Sequence, residues 1–577
     1  MNENVIAMPS GQGEAPPVEE TGKVPNPSEG LQNNGSGSGA NGRTSPQGSP
    51  EGPADLLILP SGEVTITECA NKLFGRIGPT RTLFIRGGVV MKVWSRSDGG
   101  SALEIMKPAA ARSLFEKYGR LFAWRKGENG AWVLKPATCS LEMADALLQS
   151  QEARETLPLV AGLSNCPILR EVGGTLVPSG VGYDEHTKLF VTGGACPPDV
   201  ELDVAVKSLS GLLCEFDFDS EGDKSRAIAS LITPALKFGG FIKGNVPADV
   251  AEADQSQSGK TYRQKLIAAV YNEKPSLVTN REGGVGSVDE SLSQRLIEGR
   301  PFIQLDNFRG RLSSQHLEAF LTADGEFPCR IPHHGEVLIR PDKFFIFLSS
   351  NGVDTTRDFA NRSSIIRIRK KPDGYIYWKA REGDLLAHVR ANQAWFLGCV
   401  FAVVRAWYEA GCPRTEETRH DFREWVQILD WIVQKIFGGA RIMDGHRQAQ
   451  DNVSSPAMVF LRRVAIAAEQ GSRLGDLLTA TDLWRLCEES AIDVPGLPNG
   501  AEESPAVKRI GCVLSRVFGK GDNVEVDSYQ VRRQEQQLKR DDGQGYFPQK
   551  LYCIERSSPP PTDPQATAAT AATAVAG

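Results

Sequence analysis

Four consecutive residues, Ser258-Gly259-Lys260-Thr261, are of the types that hold a polyphosphate. They close the octet DQSQSGKT, which fits the pattern G-x-x-x-x-G-K-[ST] except that Asp254 stands at the first glycine position. In that pattern the backbone N–H groups at a helix start bind phosphate oxygens. The lysine reaches the β- and γ-phosphates, and the final hydroxyl ligates Mg²⁺. Ser258, Gly259, Lys260, Thr261 and the following Tyr262 are therefore the candidate nucleotide-binding residues, with ATP and Mg²⁺ as the expected ligands. Asp254 belongs to the same set; its carboxylate either caps the loop or weakens binding, because glycine ordinarily permits the tight turn there.

A second element strengthens the first. The apolar run PFIQLDN ends in Asp306, 46 positions after Lys260. An acid at the carboxyl end of a strand beside the loop strand can hold Mg²⁺ through water, so Thr261 and Asp306 are the expected metal-binding pair. The next residue is Asn307, where many ATPases place a glutamate that activates water. Either Asn307 orients the water, or an acid such as Glu282 or Glu290 supplies the base. Farther on, KFFIFLSSN ends in Asn351, placed to contact the γ-phosphate or the lytic water. TTRDFANRSSIIRIRK then offers Arg362, with Arg357 in reserve, as an arginine acting across a subunit boundary.

These residues need a scaffold, and the patterning supplies one. SRAIASLITPALKF, TYRQKLIAAVYN, DESLSQRLIEG and SSQHLEAFLT read as helices; SLVTN, PFIQLDN and KFFIFLSSN read as strands. Strands alternating with helices of this length predict βαβ crossovers and a parallel sheet. The fold class is α/β, with an α+β accessory unit before the sheet and further helices after it. TLFIRGGVVMKVW predicts a hairpin about Gly87-Gly88, and ARSLFEKYGRLFAW has helical periodicity. The expected divisions are a disordered tail over 1–53 and an accessory unit over 54–208. A nucleotide-binding core over 209–375 and a helical region over 376–470 come next. A terminal unit over 471–556 and a disordered tail over 557–577 complete the chain.

Composition narrows the class. With 577 residues the chain exceeds what one core can organise. A net charge of −6 excludes a uniformly basic coat for nucleic acid, though not a local site. No apolar stretch reaches membrane-spanning length, and the N-terminus lacks a basic, apolar leader, so a cytoplasmic protein without membrane contact is expected. The 11 cysteines show neither CxxC pairs nor zinc spacing, which predicts reduced thiols packed as small hydrophobes. His186, alone in a turn-like segment, reads as structural.

The run from Leu209 to Lys371 resembles an AAA+ ATPase of the kind that phages, plasmids and integrated elements use for DNA replication. ADQSQSGKT, FIQLDN, FLSSNG and DFANRSSIIRIRK fall in that family's order, and LPLVAGLSNCPILREVGGTLVPSGVGYDEHTKLF resembles the segment preceding the ATPase in such helicases and helicase-primases. The resemblance implies a homo-oligomeric ring, commonly hexameric, with ATP between subunits, and DNA as partner. A helicase or helicase loader is the leading expectation. A DNA-binding switch without unwinding and a protein-remodelling ATPase remain open.

Two segments suggest DNA contacts. RIPHHGEVLIRP predicts a hairpin with His333 and His334 at its tip, either a DNA grip in a ring channel or an ordinary structural turn. PAVKRIGCVLSRVFGK carries Lys508, Arg509, Arg516 and Lys520 without an acid. Followed by a basic hairpin, it resembles a winged helix, whose second helix enters a major groove and whose cations contact phosphates.

Overall fold

A computed structural model of the chain describes residues 56–96, 100–253, 257–279, 287–308, 311–331, 335–350, 354–372, 374–497, 502–519, 521–526, 528–539 and 546–557. The two tails read as disordered lie outside these residues but for Ser557. So do Asp254, Glu282, His333, His334, Asn351 and Lys520, and the side chain of Asn307.

Six strands form the central sheet. In spatial order they are Asp217–Phe218, Ser363–Arg369, Ala248–Glu252, Phe345–Ser350, Phe302–Phe308 and Ser276–Val278. All pair in parallel except the short first strand, which runs antiparallel to Ser363–Arg369. Parallel pairing demands crossover helices, and these cover both faces. One face carries helices Glu221–Phe238 and Lys260–Val270, packed on Phe302, Phe345, Phe347 and Ile366, and helices Gln393–Glu409 and Arg423–Lys435 pack on those two in turn. Helices Val288–Glu298 and Gln315–Thr322 pack on Val250, Ile303, Leu305 and Ile346 at the other. The mixed α/β class with a parallel sheet is thus as the alternation predicted. The neighbour relation is not: the Asp306 strand does not adjoin the Ala248–Glu252 strand, because Phe345–Ser350 lies between them. Chain order cannot reveal an interposed strand when connections are long enough to cross over it.

Pro234 sits inside the Glu221–Phe238 helix, where a missing N–H and ring crowding ordinarily break the ladder. Here the Tyr271 hydroxyl donates to the Leu231 carbonyl (2.7 Å) and accepts from the Ala235 N–H (3.2 Å), replacing one backbone bond with a side-chain bridge. Burial pushes the Tyr271 phenol well above its ordinary pKa, which keeps it a donor.

Before the sheet lies a unit with its own core of Leu73, Phe74, Phe115, Leu147 and neighbours. Its Leu83–Arg86 and Val89–Ser95 strands pair as the expected hairpin. ARSLFEKYGRLFAW divides into a helix ending at Phe115 and a strand over Arg120–Lys126, a correction to the single helix its periodicity suggested. The hairpin turn presses on the core: a Cβ on Gly87 would stand 2.2 Å from the Leu338 carbonyl oxygen, and its φ is +55°. Next to it, the buried Arg86 guanidinium donates to the carbonyls of Leu296 (2.8 Å) and Ile297 (2.7 Å), closing the end of the Val288–Glu298 helix.

Two buried histidines join the later helices to the sheet. His420 Nε2 donates to the Ser363 carbonyl (3.3 Å), while His446 Nε2 accepts from the Ile365 N–H (3.3 Å). Their rings lie 5.5 Å apart beside the buried Arg226. Desolvation holds His420 down at about 4 and His446 well below the ordinary imidazole value. Because these folded-state pKa values are depressed, the unfolded chain binds more protons once pH falls below about 6.5. Stability is complete above that pH and declines as pH falls toward 4. His420 alone is expected to remove about 2 kcal/mol at pH 5. Urea unfolding at pH 7.5 and 5 checks this; midpoints that coincide would refute it.

The C-terminal unit packs helices Ala480–Glu489 and Glu503–Phe518 on a four-stranded antiparallel sheet. Sequence patterning suggested two strands; Leu477–Leu478 and Asn523–Val526 add one at each side. The Pro456–Gln470 helix contributes Phe460, Leu461, Val464 and Ala468 to this core, although by sequence it grouped with the preceding helices. All 11 cysteines are free, seven of them buried. No helix among the described residues is long and apolar enough to cross a membrane.

Candidate functional site

The site lies at the carboxyl ends of the parallel strands, where the Ala248–Glu252 strand leads through residues 253–259 into the Lys260–Val270 helix. Gly259 occupies the helix N-cap at φ +89°, with no side chain capping the first turn. A residue with a side chain is strained at this φ, and a Cβ would also stand 3.1 Å from the Phe216 ring. Gln257 is left-handed as well, at φ +63°. The result is a helix N-terminus without a side-chain cap, the electrostatic setting that favours an anion. Ser258 and Lys260 are buried there, with Lys260 Nζ donating to Ser258 Oγ at 3.1 Å. Tyr262 turns away from this point; its hydroxyl accepts from the Leu386 N–H at 2.8 Å.

Thr261 and Asp306 come together. The Thr261 hydroxyl donates to Asp306 Oδ1 at 2.6 Å, and Ser349 donates to the same oxygen at 2.7 Å. The two hydroxyl oxygens are 3.0 Å apart. A register irregularity between Leu305 and Phe308 accompanies this convergence, and such bulges re-aim side chains at strand ends. Three hard oxygens within hydrogen-bond reach suit Mg²⁺ chemically.

Sequence reasoning did not single out Ser349; its candidate two positions on, Asn351, lies outside the described residues. The signal for Ser349 was the polar pair Ser349-Ser350 ending an otherwise apolar strand. It also missed a buried network behind the site. Gln264 on the helix donates to Asp249 Oδ1 (2.8 Å) and to the Leu348 carbonyl (3.1 Å), and accepts from Gln304 (2.8 Å). Arg263 pairs with Asp249 in the same layer. The helix bearing Lys260 is thereby bonded to all three strands beneath it. A glutamine inside FIQL and an aspartate inside ADVA were the available clues, since buried polar residues need partners.

The arginines are differently placed. Arg362 donates to the Glu318 carbonyl (2.9 Å) and pairs with Asp358 (2.9 Å), so it is engaged within its own chain. Arg357 pairs with Asp451 and is more exposed. Glu290 sits in the first turn of the Val288–Glu298 helix, its N–H bonded to the capping Ser287. In the C-terminal unit Lys508 and Arg516 are exposed at i and i+8 on the Glu503–Phe518 helix, whereas Arg509 is tied to the Pro495 carbonyl at 2.7 Å. Arg516 also borders a cleft of about 840 Å³ with Arg419, Asp444, Arg447 and Asp451. That cleft is lined by neither Lys260 nor Asp306.

No family model and no curated protein matches the chain. A solved structure titled "SCCmec type IV Cch - active helicase" aligns with 80% of this chain and 90% of its own, at 13% identity and a TM-score of 0.27. At that overlap the likeness carries no weight for activity.

Proposed function

We propose that residues 209–375 are an AAA+-type P-loop core that hydrolyses ATP with Mg²⁺. The chain then works as a ring-forming DNA motor, a helicase or helicase loader in the replication of a phage or mobile element. The observation that carries this reading is the convergence of Thr261, Asp306 and Ser349 at the helix opened by Gly259 and Lys260. Thr261 and Asp306 would hold the metal, which supplies charge neutralisation across the β- and γ-phosphates. The N-terminal amides of the helix cradle the phosphates, and Lys260 draws on the γ-phosphoryl oxygens as charge develops there. Ser349 orients Asp306. The polar layer of Arg263, Gln264, Asp249 and Gln304 keeps helix and strands in register while the phosphate oxygens change charge. Either Asn307 orients the attacking water, or an acid such as Glu282 or Glu290 supplies the base.

Arg357 and Arg362 follow the Phe345–Ser350 strand, as an arginine offered to a neighbouring subunit would. In a ring, Arg362 must exchange its bonds to Glu318 and Asp358 for that role. The exposed Lys508 and Arg516 support a DNA-contacting, winged-helix-like C-terminal unit, and the sequence alone offers His333 and His334 as a second contact.

Strand displacement on forked and tailed duplexes, with Lys260→Ala as control, tests the motor reading. ATP-dependent unwinding that vanishes in the variant is expected. Hydrolysis without unwinding on any substrate transfers the assignment to a DNA-binding switch.

A further inference from the structure

The unit before the sheet has no part in the nucleotide site, yet one of its surfaces has a definite chemistry. Strands Leu56–Ile58, Arg120–Lys126 and Trp132–Pro136 form a three-stranded sheet with the last at its edge. Leu57 and Leu121 point into the unit's core. Alternation places Phe122, Trp124 and Lys126 on the opposite face, across from Pro136, Leu134 and Trp132 respectively. Phe122 and Trp124 are half-buried and Trp132 is 53% exposed. Lys126 Nζ lies 5.7 Å from the Trp132 ring centre. Of the four cations between residues 120 and 136, Arg120 and Lys126 fall on this face and Arg125 and Lys135 on the other, and the one acid, Glu128, is in the turn.

We propose that this face binds single-stranded nucleic acid. The exposed Trp132 ring, beside the half-buried Phe122 and Trp124, offers stacking to unpaired bases of any sequence, and Arg120 and Lys126 take the phosphates. A duplex would use the cations but not the rings, whose faces reach only unstacked bases. A peptide strand added to the Trp132–Pro136 edge would use neither the cationic excess nor the rings across the sheet. The ring-and-cation composition therefore favours a flexible polyanion with aromatic bases. This site shares with the functional reading only its class of partner, since none of its residues touches Lys260 or Asp306.

The test is fluorescence anisotropy of labelled oligo(dT) with the full chain, free of nucleotide, so that failure at the ATP site leaves it unaffected. Trp132→Ala should weaken binding about ten-fold. Trp132→Phe should retain most affinity, and Trp94→Ala, an exposed tryptophan on another sheet, should change nothing. Lys126→Ala should weaken binding and flatten its salt dependence. Equal affinity of Trp132→Ala and the wild type overturns the proposal, as does absence of oligo(dT) binding. So does a concentration-dependent self-association lost in Trp132→Ala while oligo(dT) affinity stays constant, which would assign the face to a second copy of the chain.

Discussion

Lys260→Ala should lower ATP turnover by roughly 10²–10³-fold while leaving the fold intact, because it removes a fixed positive charge aimed where charge develops. Lys260 is 8% exposed, so its ammonium acts where water screens it little. Its bond to Ser258 Oγ is a local one, and the Lys260–Val270 helix remains bonded to the sheet through Gln264 and Arg263. Circular dichroism and thermal melting should therefore match the wild type. Asp306→Asn should act on the same rate but respond differently to metal, requiring more Mg²⁺ for half-maximal turnover. A Lys260→Ala protein that hydrolyses ATP at the wild-type rate would falsify the assignment of this loop.

The largest effect on stability is expected away from the chemistry. Glu252 ends the strand that leads into the Gly259 loop, and its carboxylate pairs with Arg462 at 2.5 Å, both side chains being 2% exposed. Arg462 lies on the Pro456–Gln470 helix, whose apolar side belongs to the C-terminal core. The pair thus joins the C-terminal unit to the backbone two residues before Asp254. Breaking a buried pair by removing one member costs about 3–5 kcal/mol. Arg462→Met should accordingly lower the unfolding midpoint steeply. Replacing both members, as Glu252→Gln with Arg462→Met, removes both buried charges, and much of the stability should return. Additive losses in the double variant would show that the two side chains do not act as a pair. Turnover in the double variant, measured once stability is restored, reports whether the C-terminal unit influences the nucleotide site through this contact.

Local chemistry explains what could be read in advance. Apolar runs bounded by polar residues marked the strands holding Asp306 and Ser349, and helical spacing marked the helix after Lys260. Those signals depend on near neighbours in the chain, which is why the α/β class and the Lys260–Thr261–Asp306 set were legible. Ser349, the second partner of Asp306, was not, since the two are 43 positions apart and meet only through sheet order. Strand length misled at LFAW, where helical periodicity in the preceding residues carried over into a strand.

By itself, then, the sequence determined which residues are of the types that suit phosphate and a metal ion, and that alternating strands and helices bring them to strand ends. Tertiary structure alone decided that Phe345–Ser350 lies between the other two strands, that Ser349 supports Asp306, and that Arg362 is engaged within its own chain. It also decided that Glu252 is neutralised by Arg462 from another unit. The reason is physical: backbone propensity and periodicity act over a few residues, whereas sheet order and buried ion pairs are fixed by packing between segments far apart in the chain.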